Sequence, residues 1–289
     1  MERSPTFYLR TILACWIIII FFSCNDRSDF YKKEIPYPDS KIASENIMRG
    51  SYNYYQGSVQ QQILLDKAIE LDPDNANAWR SQGIAYLKRG LAAECDYYYQ
   101  KAIPKDPLAW QGYRGYTYLY FYRDYKRALA DFNALDILTP DVVDYPQSTS
   151  VDYMRAICYL KLGDNDKAIE YLEHHIAEEL STVEEKYVDS KSFLFQGIAY
   201  HHKGQYEKAA AKYKRALQHA PENSDLWYWL AKTSLAAGDT AAANIAIEKA
   251  DTQFKKGNFN KRNYVAEFFQ TYQPDIDELK EQIALVVSQ

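Results

Sequence analysis

Apolar and polar positions divide the chain into three regimes. Thr11–Phe22 is almost wholly apolar, with isoleucines at 17–20, and the run stops at Ser23-Cys24 before Asn25, Asp26 and Arg27. It is too short to span a bilayer as a helix, which takes roughly 20 apolar residues. Behind Arg3 and Arg10 it reads as the apolar core of a signal peptide covering residues 1–23. Residues 24–43, with Pro36 and Pro38 and no helical period, read as a tether. From Ser44 onward, small and aromatic residues recur at helical spacing. Gln82-Gly83-Ile84-Ala85-Tyr86 reappears as Gln196-Gly197-Ile198-Ala199-Tyr200. Each copy has an aromatic before it, then a glycine, a small residue, an aromatic, an alanine and a proline after it. Such a frame predicts two antiparallel helices, with the later glycine closing their turn and the proline ending the second helix. Beyond Asp251 the frame stops. Asn263–Tyr272 has the spacing of a short helix. Pro274-Asp275 then opens an amphipathic helix with Ile276, Leu279, Ile283 and Val286 on one stripe.

The frame has a packing logic. Gly83, Cys95 and Ala102 let helix backbones approach, while Trp79, Tyr86 and Tyr99 fill the space between them. With Gly90 and Pro107, this order resembles the tetratricopeptide repeat. The copy from Ser190 matches it throughout, at Phe193, Gly197, Tyr200, Gly204, Ala209, Tyr213, Ala216 and Pro221. A third copy keeps Trp227, Ala231, Gly238, Ala243 and Ala250. Weaker copies precede Pro73, fill Leu108–Pro140 and occupy residues 149–180. In the Leu108–Pro140 copy, Tyr116 stands where a small residue is expected and Gly115 comes one place early.

The resemblance implies an all-α fold: a right-handed α-solenoid of about five to six helix pairs over residues 44–257, with capping helices in residues 258–289. The period is broken by an excess near Asp141–Ser150 and another near Glu179–Asp189. Both are expected to be loops, either tolerated surface insertions or binding elements.

Composition refines the address. Ser23-Cys24 at the end of the apolar run resembles the lipobox of bacterial lipoproteins. That resemblance implies cleavage before Cys24, acylation of its thiol, and a lipid-anchored protein of the cell envelope. Asn25 favours the outer membrane, facing the periplasm or exposed at the surface. The net charge is −5, and losing Arg3, Arg10 and Glu2 makes the chain more acidic. Without a stripe of lysine and arginine, nucleic acid is not an expected partner. Cys95 and Cys158 fall in non-adjacent repeats, so two buried thiols are expected, with a disulfide as the alternative.

Candidate chemistry is sparse. There is no phosphate-cradling glycine loop, no nucleophile elbow and no metal-ligand motif, so neither an enzyme, a cofactor nor a metal is expected. His174-His175 and His201-His202 are adjacent pairs that diverge on a helix and do not share a metal. Tyrosine is abundant, at 27 residues, and it crowds the segment from Trp110 to Tyr125. The resemblance implies that certain first-helix positions face a concave groove. Here these include Arg80, Lys88, Trp110, Tyr113, Thr117, Tyr120, Phe121, Tyr153 and Tyr228, with Arg114 at the edge. An aromatic floor edged by cations suits an extended peptide or protein partner. The alternative is that tyrosine fills wide gaps between helices. Repeats that clamp a terminal carboxylate pair the cation at the position of Arg80 with an asparagine where this chain has Ile84, so that clamp is incomplete. The expected function is therefore a membrane-anchored scaffold or adaptor. The alternatives are a structural subunit of an outer-membrane assembly or secretion complex, and a glycan-binding or enzymatic lipoprotein.

Overall fold

The computed structural model describes residues 39–288. The expected signal peptide, most of the expected tether and Cys24 lie outside the described residues. Among these there are thirteen α-helices and no strand. Twelve form six antiparallel pairs: α1 (Ser40–Ser51) with α2 (Val59–Leu71), α3 (Ala76–Lys88) with α4 (Ala92–Ala102), and α5 (Pro107–Thr117) with α6 (Tyr125–Leu138). The others are α7 (Val151–Leu162) with α8 (Asn165–Thr182), α9 (Ser190–His202) with α10 (Tyr206–Leu217), and α11 (Ser224–Ala236) with α12 (Thr240–Lys255). The last helix, α13 (Gln273–Val287), packs Ile276, Leu279 and Ile283 against the end of the stack and caps it. No helix among the described residues is long and apolar enough to cross a membrane.

Helix starts follow from side-chain chemistry. Ten of the thirteen helices begin behind an Asp, Asn or Ser whose side chain accepts a backbone N–H of the first turn. Asp39 is one of them, so helix begins at Ser40, ahead of the expected Ser44. The glycine that ends the first helix of a pair turns the chain through left-handed backbone, as at Gly163 with φ 85°.

Helix contact depends on the other glycines. A Cβ on Gly197 would stand 2.3 Å from Tyr213 Cε1, and one on Gly83 would stand 2.9 Å from Tyr98 Cβ. In the third pair, Gly115 takes the same role against Phe132, at 2.6 Å from Cε1. The glycine that comes one place early is therefore the contact residue. The extra residue is absorbed downstream, where Tyr118–Tyr122 forms a π-helical turn ending at left-handed Arg123, φ 55°. Tyr116 is thereby displaced to the concave side.

Of the remaining expectations, the first insertion stands as a loop and two others need correction. The excess near Asp141–Ser150 is a loop with a short 3-10 turn, Pro146–Ser148, and Pro146 is buried against Gly112. The excess near Glu179–Asp189, however, is in part helix, because α8 continues to Thr182. Asn263–Tyr272 is not helical at all. Residues 258–272 leave the stack as an extended strap, for reasons that lie in the groove.

Candidate functional site

The concave face is largely occupied by the chain itself. The strap, residues 258–272, leaves α12, runs along the groove and returns to α13. Both of its ends are held by Asp225 at the start of α11. Asn260 N donates to Asp225 Oδ2 at 2.7 Å and Thr271 N donates to Oδ1 at 2.8 Å. Asp225 is fully buried. Ser224 N adds a hydrogen bond to the Asn258 carbonyl, and Asn223 Nδ2 adds one to Asn260 Oδ1. A loop whose ends meet in this way is an Ω-loop. A helix here would leave its aromatic side chains without partners. Extended, with left-handed backbone at Tyr264 and Phe269, it delivers them to separate repeats.

The middle of the strap is anchored by rings and cations. Arg262 lies 3.5 Å from the Tyr120 ring centroid and donates to the Tyr116 hydroxyl at 2.5 Å. The Phe268 ring, 3% exposed, sits 5.4 Å from Tyr120 beneath the Arg123 guanidinium at 3.9 Å. Arg123 also donates to the Ala266 carbonyl. Phe269 enters a ring of Phe195, His202 and Trp229, with Lys161 at 4.4 Å. The buried Glu267 carboxylate meets Lys191 at 3.4 Å.

The sequence-predicted groove residues divide accordingly. Arg80, Trp110 and Tyr113 come together: the Arg80 guanidinium lies 4.8 Å from the Trp110 ring and 5.3 Å from Tyr113. Lys88 meets Tyr264 at 5.1 Å, and Phe121 lines the same recess. Tyr120 is concave but covered by Arg262 and Phe268. Thr117 is buried beneath the floor, with its hydroxyl donating to the Tyr113 carbonyl at 3.0 Å. Tyr153 is buried between His175 and Phe195, and Tyr228 packs beside Trp229. Arg114 does not join the groove. Its guanidinium makes a bidentate pair with Asp131 on α6, at 2.8 and 2.7 Å, inside the third helix pair. Cys95 and Cys158 are free and buried.

Sequence reading missed Arg123, Arg262, Tyr264, Phe268 and Phe269. The signal was present as a cluster of aromatics beyond the end of the repeat frame. Where the strap stops short, a recess of about 430 Å³ remains, bordered by Arg80, Lys88, Tyr113, Phe121, Arg262 and Tyr264.

A histidine marks the covered end. His201 Nδ1 lies 2.8 Å from Thr233 Oγ1, and burial first, then His202 and Lys232, hold its pKa down to about 4. A histidine lowered on folding takes up its proton in the unfolded chain first. Its contribution to stability is complete above pH 6.5 and is lost as pH falls towards 4. The melting-temperature advantage of the wild type over His201→Gln should therefore shrink through that window. A pH-independent difference would contradict the placement.

Comparison with known proteins agrees with the geometry. Models of the tetratricopeptide repeat match residues 64–96, 153–176 and 200–259. No curated protein matches the chain. Among solved structures, a tetratricopeptide repeat protein from Parabacteroides merdae aligns with TM-score 0.61 at 18% identity, over 86% of this chain and 88% of that one. The pilF protein of Pseudomonas aeruginosa aligns with TM-score 0.60 at 15% identity, over 84% and 99%. PilW, described as a widely conserved type IV pilus biogenesis factor, aligns with TM-score 0.58 at 17% identity, over 74% and 94%. At these identities the likeness shows the fold. The chain carries tetratricopeptide repeats and folds as an all-helical solenoid of helix pairs.

Proposed function

We propose that the protein is a lipid-anchored scaffold of the bacterial cell envelope that holds a protein or peptide partner on its concave face. The observation that carries this reading is the recess left open between the strap and the second and third helix pairs. The strap shows how this groove receives an extended segment: aromatic anchors, cations over rings and backbone hydrogen bonds. The recess offers the same chemistry with no occupant from the described residues. The anchor rests on Ser23-Cys24 and the preceding apolar run. An envelope setting also agrees with the similarity to a pilus biogenesis factor.

The test is crosslinking and affinity capture of the full chain from envelope fractions, with Trp110→Ala and Tyr113→Ala variants alongside. Tyr113 lines the recess and Trp110 packs against Tyr113 and Arg80, so each variant should cut recovery of a specific partner about tenfold or more. Undiminished recovery by folded variants would move the binding surface elsewhere.

A further inference from the structure

The open recess has a charge that the whole chain does not. The protein carries a net charge of −5, yet Arg80, Lys88 and Arg262 border this cavity and no carboxylate lines it. Among the described residues none of the three forms an ion pair. Each lies over a ring instead: Arg80 over Trp110 and Tyr113, Lys88 over Tyr264, and Arg262 over Tyr116 and Tyr120. A ring face attracts a cation but leaves its charge uncompensated. Arg80 Nε is buried without a hydrogen-bond acceptor, so no protein carboxylate neutralises this guanidinium through it. Elsewhere on the surface the cations are commonly paired, as in Lys203 with Asp166 and Arg215 with Glu185. The recess thus gathers three unpaired cations around one cavity with no carboxylate among its lining residues.

Size and shape narrow the occupant further. About 430 Å³ admits one or two side chains of an extended chain. A concavity of this size does not present itself to a flat bilayer or to the convex surface of a folded domain. Gln56 and Gln147 at the rim supply amide groups for main-chain hydrogen bonds.

We propose that the recess takes an acidic side chain of an extended peptide, with an adjacent apolar residue of that peptide on the Tyr113–Tyr116–Phe121 floor, which Trp110 supports from beside Tyr113 and Arg80. The strap completes the site by contributing Arg262 and Tyr264. The site is therefore assembled from distant parts of the chain: the second and third helix pairs, the loops carrying Gln56 and Gln147, and the segment after α12. This rests on the concave-face reading above and adds the charge of the ligand to it.

The test is selection from a random peptide library displayed within a carrier loop, so that no free carboxyl terminus is offered, using the full chain. Recovered peptides should be enriched in Asp and Glu next to aromatic or aliphatic residues. Their affinity should fall about tenfold in Lys88→Ala or Arg262→Ala, further in Lys88→Glu, and progressively with added salt. Lys88 is exposed, so its substitution leaves the fold intact even if Arg262→Ala loosens the strap. Peptides that lack acidic enrichment and ignore Lys88→Glu, yet are lost with Trp110→Ala, would overturn the charge assignment and leave the concave-face reading standing. Peptides indifferent to all these variants, or no peptides at all, would overturn both. Self-association, or binding to vesicles of anionic phospholipid, that the same substitutions abolish would reassign the recess and overturn the proposal.

Discussion

Asp225→Ala should lower the free energy of unfolding by about 3 kcal/mol and free the strap. Both carboxylate oxygens accept a backbone N–H, from Asn260 and Thr271, and the side chain is fully buried. Hydrogen bonds to a charged group contribute about 1.5–3 kcal/mol each, and alanine leaves two N–H groups without an acceptor. Asp225→Asn keeps one carbonyl oxygen and should lose roughly half as much. Urea unfolding measures the loss. Limited proteolysis separates a freed strap from general destabilisation, because Lys261 and Arg262 are trypsin sites in the segment that Asp225 holds. Cleavage there should precede all other cuts in the alanine variant under native conditions. Equal rates of cleavage in wild type and variant would show that the rings alone hold the strap.

An effect of similar size is expected where two helices touch. Gly197→Ala places a methyl group 2.3 Å from Tyr213 Cε1, and that ring is completely buried in the core. Neither the ring nor the backbone of α9 can yield without opening the fifth helix pair. Overpacking of this kind costs about 1–3 kcal/mol or more, against about 1 kcal/mol gained from the better helix propensity of alanine. A net loss of about 2 kcal/mol, seen as a lower melting temperature, is the expected outcome. Gly50→Ala is the control. Its methyl group meets nothing within 4 Å, so the propensity gain should appear alone as a small stabilisation. If both substitutions stabilise, close helix contact at Gly197 is not what selects glycine there.

The helix pairs were legible because their determinants are local. An Asp, Asn or Ser at the start, a glycine at the turn and a small residue at the contact each act within a few residues. The third pair shows the limit of that reading. The early Gly115 was visible as a departure from the frame, but its repair by the π-helical turn at Tyr118–Tyr122 was not. That turn accompanies the contact of Gly115 with Phe132 on α6, which lies 17 residues further along the chain. The strap was misread for a stronger reason. Tyr264, Phe268 and Phe269 have a spacing compatible with a helix, and nothing near them says otherwise. What makes the segment extended lies far away in sequence: Arg262 bonds to Tyr116 across 146 residues. The same distance explains why Tyr120 looked available from sequence. Its cover comes from the opposite end of the chain. Arg114 was placed in the groove by position alone, whereas Asp131 draws it between the helices.

The strap also changes what kind of object the repeat stack is. An array whose repeats touch only their neighbours behaves as a one-dimensional chain of coupled units, able to open from either end while the middle stays folded. Here the sixth repeat reaches back to the second and third through Tyr264, Arg262 and Phe268, and to the fourth and fifth through Phe269 and Glu267. That closes the array on itself as a staple closes a stack of sheets. Repeats two to six then share one opening event, with the long-range contact order and slower folding of a globular domain. The α1–α2 pair, whose small core of Met48, Leu65 and Ala68 is closed by Ala78 of α3, is left as the end free to fray. Fraying there would start beside Gln56, at the rim of the open recess, so the loosest part of the solenoid borders its candidate binding site.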